Sequence, residues 1–254
     1  MSFPIIKYGA PGEQFNTYVA EAVRGLASAG RFLLSQKLEL ADGRLFRFGL
    51  AGGTELAANK LAQGIASVGD QDTLAVQAAV AVGDTTIPVT EVTTFTAEGD
   101  LIGGHAIVES AAALGHLYKI ASNTGASSGA TTETLALVDG ETVQAALTTS
   151  HKVTLVHSTW FKTIVTPNAT LTGPCAGVNQ VLIATTDYGW FQTHGVASCL
   201  LVGAGLVGNQ LIPAATAGSI GVQVSQTTNV TIPVGYVVEV APTTDFGMVF
   251  LIVE

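Results

Sequence analysis

The sequence predicts a mainly β protein with two consecutive antiparallel β-barrel or sandwich-like domains, preceded by an N-terminal helix or arm and a β-hairpin. Short apolar runs bounded by Gly, Pro, Asn or Asp recur about every 8–12 residues along most of the chain. These runs follow one another without helical segments between them, which favours antiparallel sheets over βαβ units. The chain has 254 residues, of which 48% are hydrophobic, so it is long enough to bury more than one core.

The clearest helical pattern lies near the N-terminus, in residues 14–30. Apolar side chains there repeat every three or four residues, which is the spacing of one helix face. They are Phe15, Tyr18, Val19, Ala22, Val23 and Leu26. Gly30 suits the end of such a helix, because glycine readily adopts the left-handed conformation found there. We expect the helix either to pack on its own domain or to anchor the chain on a neighbour.

A β-hairpin is expected next, within residues 34–53. Asp42 and Gly43 separate two arms, KLELA and RLFRF, in which apolar and polar residues alternate. The dipeptide Asp-Gly favours the positive φ angles of a tight hairpin turn. The pattern therefore predicts two antiparallel strands that meet at this turn.

Turn signals and composition divide the chain into three parts. We expect an N-terminal segment over residues 1–70, a middle β domain over 71–165 and a C-terminal β domain over 166–254. The boundary near residue 166 is marked by TPNATLTGPCAG, whose two prolines indicate a linker or a long turn. The chain ends in the strongly apolar run MVFLIVE, which is expected to be held in a sheet.

The chain carries few charges, and they are unevenly distributed. Charged residues make up 11% of the sequence, against about 25% in typical soluble domains. Residues 1–70 hold seven of the ten Lys and Arg and six acidic residues, whereas the remainder holds three basic and thirteen acidic residues. The net charge of −9 disfavours nucleic acid as a partner, because an acidic surface repels phosphates. So few charges indicate that other chains cover much of the surface.

Insertion into a membrane is not expected. No uninterrupted apolar segment approaches the roughly 18–20 residues that a helix needs to cross a bilayer. The first residues, MSFPIIKYGAPGEQF, lack the basic start, the continuous apolar core and the cleavage site of a secretory signal. We therefore expect synthesis in the cytoplasm.

A glycine motif near the C-terminus matches the G-x-G-x-x-G pattern of dinucleotide-binding enzymes. Gly203, Gly205 and Gly208 follow an apolar run. In such enzymes the motif opens a helix, and an acidic residue about 20 positions on binds the ribose. Here Pro213 falls where the helix would lie, and the next carboxylate is Glu239. We interpret the segment as a glycine-rich turn between two strands, with a dinucleotide site as a remote alternative.

No catalytic, cofactor-binding or metal-binding residues are predicted, and the chain is not expected to be an enzyme. The five histidines are scattered, and none lies in an H-E-x-x-H or H-x-E context. The phosphate-binding pattern G-x-x-x-x-G-K-[ST] does not occur. The two cysteines, Cys175 and Cys199, lack the spacing of metal ligands and are interpreted as buried thiols.

Three aromatic residues cluster in the segment TDYGWFQTHG. On a strand, Tyr188 and Trp190 face one side and Phe191 faces the other. Tyr and Trp are enriched at the centres of protein interfaces. These residues are therefore candidates for an interface between subunits, the alternative being ordinary packing in the core of a sheet.

Several segments together resemble head decoration (cement) proteins of tailed bacteriophages, a family of virion structural proteins. In chain order they are LELADGRLFRFGLAGGTELAANKLAQG, VGDTTIPVT, GDLIGGHAIVES, GHLYKIAS, TLALVDGETVQAALTTSHKVTLVHSTW, TDYGWFQTHGVASCLLVGAGLVGNQLIPA and GYVVEVAPTTDFGMVFLIVE. The similarity in their order and spacing extends over about residues 34–254. The resemblance implies a homotrimer on the outer surface of an icosahedral capsid, where it bridges subunits of the major capsid protein.

Under this resemblance, residues 1–70 are the candidate capsid-anchoring segment, and the acidic β domains would project outward. The candidate capsid contacts are Phe15, Tyr18, Val19, Arg24, Arg31, Arg44 and Arg47. The alternative function is that of a phage tail, spike or glycan-binding module. A dinucleotide-binding enzyme is a remote alternative.

Overall fold

The structure of the chain is a computed structural model. It describes residues 6–8, 32, 34–66, 71–110, 113–168, 171–203, 205–223, 233–239 and 244–254. The helix expected over residues 14–30 lies outside the described residues.

The described residues form seventeen β-strands. They are β1 (Ile6–Tyr8), β2 (Lys37–Leu40), β3 (Leu45–Leu50), β4 (Lys60–Gln63), β5 (Leu74–Val76), β6 (Thr86–Thr90), β7 (His105–Val108), β8 (Leu117–Asn123), β9 (Thr132–Leu137), β10 (Lys152–Val156), β11 (Ile164–Val165), β12 (Cys175–Asn179), β13 (Tyr188–Val202), β14 (Gln210–Pro213), β15 (Ile220–Val222), β16 (Gly235–Val237) and β17 (Asp245–Ile252).

The predicted fold class is confirmed, because the described part of the chain is almost entirely β and contains two closed barrels. It divides into two compact units. Residues 66–161 belong to the first unit, whereas the middle domain was expected over 71–165. The second unit combines the segments before and after it. The hairpin, expected in a separate N-terminal segment, therefore lies in one unit with the C-terminal strands.

The first unit contains a closed six-stranded barrel with the strand order β10-β5-β6-β9-β8-β7. Its strands are paired antiparallel. Each strand alternates between buried and outward positions; in β9, Leu135 and Leu137 are buried while Thr132 and Thr134 face outward. The buried apolar side chains form one cluster, whose removal from water is the main stabilising contribution to the unit.

The predicted β-hairpin is present as β2 and β3. Leu38 pairs with Phe46 across the two strands, and both side chains are fully buried. At the turn, Gly43 has a φ of 85°, and the Leu40 N–H donates to the Arg44 carbonyl at 2.9 Å. Glycine adopts this positive φ without the steric cost that a Cβ would bring. The Asp-Gly dipeptide thus sets the register of the hairpin.

Strand β13 has 15 residues and links the hairpin to the second barrel. Its first half, Tyr188 to His194, pairs with β3, and its second half, His194 to Leu201, pairs with β17. From β13 the order β13-β15-β14-β16-β17 returns to β13, which closes the second barrel. Its apolar interior includes Leu201, Leu211 and Val249.

Among the described residues, no helix has the length and apolar character needed to cross a bilayer.

Candidate assembly surface

The last strand, β17, is apolar on both of its faces. The positions that point into the second barrel are Gly247, Val249 and Leu251. The outward positions, which are normally polar on a solvated strand, are Phe246, Met248, Phe250 and Ile252. Phe246 is 51% exposed, and Met248 and Ile252 are each 41% exposed. An apolar row is thus presented to solvent along the strand.

The neighbouring strands extend this apolar row. Residues that pair directly across strands point to the same face of a sheet. The outward row of β17 pairs with Val196 and Leu200 on β13 and with Tyr236 on β16. We call these side chains the outer apolar face; its members are Val196, Leu200, Tyr236, Phe246, Met248, Phe250 and Ile252. Ser198 and His194 occupy the remaining outward positions of this part of β13.

Ring contacts order the centre of the outer apolar face. Phe250 stacks on Tyr236, with ring centroids 5.0 Å apart and ring planes 9° apart. On its other side, the His194 ring meets Phe250 edge-on, at 5.1 Å and 82°. Such pairs contribute about 0.5–1.5 kcal/mol beyond the burial of area. The three rings form a row across three strands, so the centre of the face is ordered in the single chain.

The described positions of the outer apolar face carry no Lys, Arg, Asp or Glu, although the chain as a whole has a net charge of −9. No Lys or Arg follows Lys162 in the sequence. Just beyond the end of β17, the carboxylate of Glu254 accepts a hydrogen bond from Arg47 Nε at 2.9 Å. This bond and the charge of Arg47 lower the pKa of Glu254 below its ordinary value. The charge nearest this end of the face is therefore paired.

The outward positions of the first barrel are more polar. On β9 they include Thr132 and Thr134. Leu117 and Val156 are exposed on β8 and β10, but each of these strands also carries a lysine on its outward side. The outer apolar face is therefore a local feature of the second barrel and does not simply follow from the overall composition.

Tyr188, Trp190 and Phe191, the predicted candidates for a subunit interface, lie inside the second unit. Their exposed fractions are 4%, 3% and 0%. Phe48 stacks on Tyr188 with 5.3 Å between ring centroids and lies 5.0 Å from Trp190. Phe32 adds a further ring 5.0 Å from Trp190. The surface of these side chains is already covered within one chain, where they pack the hairpin against β13.

The predicted capsid contacts outside the described residues are Phe15, Tyr18, Val19, Arg24 and Arg31. Arg44 and Arg47 are described, and each has an acidic partner within the chain. Arg44 Nε lies 2.7 Å from Asp42 Oδ2 in the hairpin turn. Arg47 pairs with Glu254 and also donates from Nη1 to the Ser35 carbonyl at 2.9 Å. Arg47 therefore ties the end of the chain to the hairpin.

The glycine motif lies in the connection between β13 and β14. Gly203 and Gly208 have positive φ angles of 91° and 85°. The segment that follows is the strand Gln210–Pro213, so the helix N-terminus that would bind a pyrophosphate is replaced by a strand. The motif therefore shapes a turn between strands, as its sequence context predicts.

A second short motif, GASSG at residues 125–129, matches the G-x-S-x-G pattern of α/β-hydrolases in its letters. That pattern places its serine on a sharp turn from a strand into a helix. Here the segment connects two strands, β8 and β9, and Ser127 forms an isolated bridge with Ala130. The segment is an exposed loop, so the serine lacks the context of a nucleophile.

Two buried carboxyl groups, Glu91 and Glu133, lie in the first unit, and both are fully buried. Thr96 donates to Glu91 from its amide at 2.6 Å and from its hydroxyl at 2.5 Å. Asn123 Nδ2 donates to Glu133 at 2.5 Å. Burial and a hydrogen bond with Glu91 raise the pKa of Glu133 to about 8. Glu133 is therefore mostly protonated at neutral pH, and the burial of both carboxyl groups keeps them from reaching a substrate.

A surface groove of about 460 Å³ lies on the first unit, between residues 116–118 and 138–144. The Tyr118 hydroxyl accepts from the Gln144 N–H at 3.1 Å and lies 3.1 Å from His116 Nδ1. Ligand sites are usually lined by apolar and aromatic side chains. Because Tyr118 is 2% exposed, its ring is not available to a ligand. The groove is a weaker candidate site than the outer apolar face.

The cysteines and metal-ligating side chains do not form a reactive site in the part of the chain that the structure describes. Burial raises the pKa of Cys199 to about 12 and that of Cys175 to about 11, so both thiols stay protonated at neutral pH. Among the described residues, no three His, Cys, Asp or Glu side chains lie close enough together to hold a metal ion.

The outer apolar face was not among the residues predicted from the sequence. Its signal is the run MVFLIVE, which is apolar at both alternating positions, whereas a strand with one solvated face carries polar residues at every second position.

In comparisons with known proteins, no family model matches the chain, and no curated protein or solved structure shows significant similarity to it.

Proposed function

We propose that the chain is a structural protein of a tailed-phage virion, which binds the outer surface of the head and strengthens the contacts between major capsid protein subunits. The structural observation behind this proposal is the outer apolar face, a surface suited to assembly with other chains that is made of different residues from the capsid contact placed below on residues 1–70. A sizeable, ordered and uncharged surface on a chain with few charges is typical of a protein that works by adhesion. The ordered resemblance over residues 34–254 adds support, because its segments include the hairpin and the strand β17.

Stabilisation of the head requires no chemical step. A protein that binds neighbouring coat subunits held together, and does not bind separated subunits, stabilises the assembled shell by mass action. At a free concentration of 100 times its dissociation constant, the gain is about 2.7 kcal/mol per site. Many such sites on one head together stabilise the shell against the pressure of the genome inside it.

We place the capsid contact on residues 1–70, the one part of the chain in which basic residues outnumber acidic ones. A positively charged segment on an otherwise acidic chain favours docking on an acidic surface. Arg44 and Arg47 already have acidic partners within the chain. Among the four candidate arginines, Arg24 and Arg31 are therefore the ones on which we place the electrostatic part of the proposed contact.

Co-sedimentation with phage heads that lack this protein tests the proposal. The wild-type chain should bind to saturation and raise the temperature at which the heads open. Because electrostatic contacts contribute to binding, the double variant R24E/R31E should bind at least about tenfold more weakly. The matched control K119E/K152E makes the same charge change in the first barrel and should bind like the wild type. Heads that bind no wild-type protein would contradict the proposal.

In this test, point substitutions are more informative than deletion of residues 1–33, because the deletion would also disturb the fold. Phe32 packs against Phe48 and Trp190, and β1 pairs with β2. The truncation would therefore uncover aromatic rings of the second unit and weaken the fold together with any capsid contact.

A further inference from the structure

We propose that copies of this chain pack against one another through the outer apolar face. The inference rests on the proposed function, that of a virion structural protein that works by adhesion, and deepens it by naming a surface and its partner. The partner is a second copy of the chain, and the surface is formed by the outward sides of β13, β16 and β17. Three properties of the face favour this partner: its area, its lack of charge and its surface shape.

The area suits an interface between copies. Taking roughly 200 Å² for each of these residues, the order of magnitude set by aromatic side chains, the exposed fractions of the five most exposed members amount to roughly 400 Å². These members are Val196, Tyr236, Phe246, Met248 and Ile252. Two copies would together cover roughly 800 Å² of apolar surface. Since apolar atoms make up about 56–65% of an interface, the total would be about 1,200–1,400 Å², within the range of stable complexes.

The charge of the chain favours a second copy as the occupant. Each chain carries −9, so two copies repel each other wherever carboxylates would meet. The members of the outer apolar face carry no carboxylate; at one end of the face the exposed Asp245 adjoins Phe246, and at the other end Arg47 binds the carboxylate of Glu254. A partner with a charged surface would lose solvation here without gaining a counter-charge. A second copy presents an equally uncharged surface.

The surface shape of the outer apolar face suits the packing of one sheet against another. Packed sheets lie about 10 Å apart, with side chains of the two faces interdigitating. On the outer apolar face, the large side chains of Phe246 and Phe250 stand opposite Leu200 and Val196, and Met248 stands opposite the small Ser198. The row on β17 therefore forms a ridge, and Ser198 leaves a hollow beside Met248.

Sedimentation velocity of the purified full-length chain without capsids is the first test. The mass of the wild type should rise to at least twice the monomer mass of 25.9 kDa as its concentration increases. F246K and M248K place a charge on the face and should raise the dissociation constant of the oligomer at least about 30-fold. M248L keeps the face apolar and should assemble like the wild type. V92K, at a residue that is 73% exposed in the first unit, is the charge-matched control.

Hydroxyl-radical labelling of the wild type gives a second test that needs no variant. Phe246 and Met248 should be protected in the oligomer and become labelled on dilution, while exposed Leu206 on the β13–β14 turn should be labelled equally throughout. A monomeric wild type at every concentration would overturn the inference. So would an oligomer that F246K and M248K leave intact, or one in which Met248 is labelled as readily as in the monomer. Because capsids are absent, these outcomes are distinct from failure to bind heads.

Discussion

Glu133 is fully buried in the first unit, where an ionised carboxylate would be costly. Burial and the hydrogen bond with Glu91 raise its pKa from 4.5 to about 8. Folding therefore favours the protonated form. The stability that this proton contributes is fully present below pH 4.5, falls as the pH rises, and is lost once the pH passes through about 8.

The variant E133Q should be less sensitive to pH than the wild type. Glutamine keeps the size of the side chain and can donate to Glu91, but it does not titrate. Between about pH 5 and pH 8, the free energy of unfolding should fall by about 1–3 kcal/mol more in the wild type than in E133Q. Urea unfolding followed by circular dichroism measures this. E109Q removes an exposed carboxylate from the same unit and is the control; identical pH profiles for wild type and E133Q would contradict the raised pKa of Glu133.

Arg47 and Arg44 are both paired, but in different surroundings. Arg47 is partly buried and joins Glu254 to the hairpin, whereas Asp42, the partner of Arg44, lies in an exposed turn. R47A should therefore lower the free energy of unfolding by about 1–2 kcal/mol, and R44A by less than about 0.5 kcal/mol. Because Arg47 lowers the pKa of Glu254, the effect of R47A should be full above the ordinary glutamate pKa and fade as the pH falls through the lowered value. Urea unfolding at about pH 7 and pH 3 tests this, and equal losses for the two variants would count against it.

At the scale of strands, close approach of β12 to β13 depends on a glycine. Gly177 has a φ of 112°, and a Cβ at this position would overlap the Gln192 carbonyl oxygen. Gly43 in the hairpin turn also has a positive φ, but a Cβ there would meet no atom within 4 Å. Substitutions at the two glycines can therefore be compared. Both would carry the free-energy cost of a positive φ, and only the substitution at Gly177 would add the cost of steric overlap.

The substitution G177A should destabilise the second unit by more than about 2 kcal/mol, whereas G43A should cost about 1 kcal/mol. The difference arises because G43A changes backbone preference alone, while G177A also forces two strands apart. Thermal unfolding followed by tryptophan fluorescence measures both, since Trp190 lies in β13. Equal costs would show that β12 moves away from β13 without penalty.

Local chemistry decided which elements could be predicted from the sequence. The Asp-Gly dipeptide predicted the hairpin, and Pro213 after the glycine motif predicted a turn between strands where a helix was the alternative. The pairing of β13 with both β3 and β17 depends on residues far apart in the chain, which no local pattern specifies. For the same reason, Val196 and Tyr236 could not be assigned to the outer apolar face. The proximity of Glu91 to Glu133 likewise follows from the closure of the barrel.

At the scale of the whole molecule, the two units present different surfaces. The first barrel presents threonine and lysine at outward positions, while the second presents the outer apolar face. The low charge content predicted that other chains cover part of the surface, and the outer apolar face is where we propose such a contact. The aromatic anchors proposed from the sequence lie in the interior, because an aromatic-rich strand at the centre of a sheet and one at an interface share the same composition.

The number of copies per virion tests the central claim most directly. Quantitative mass spectrometry of purified particles gives the ratio of this chain to the major capsid protein. A protein that decorates the head and strengthens its coat contacts should be abundant and present in a fixed ratio set by the capsid lattice. A handful of copies per particle, confined to the tail, would contradict the proposed function and favour a tail or glycan-binding module.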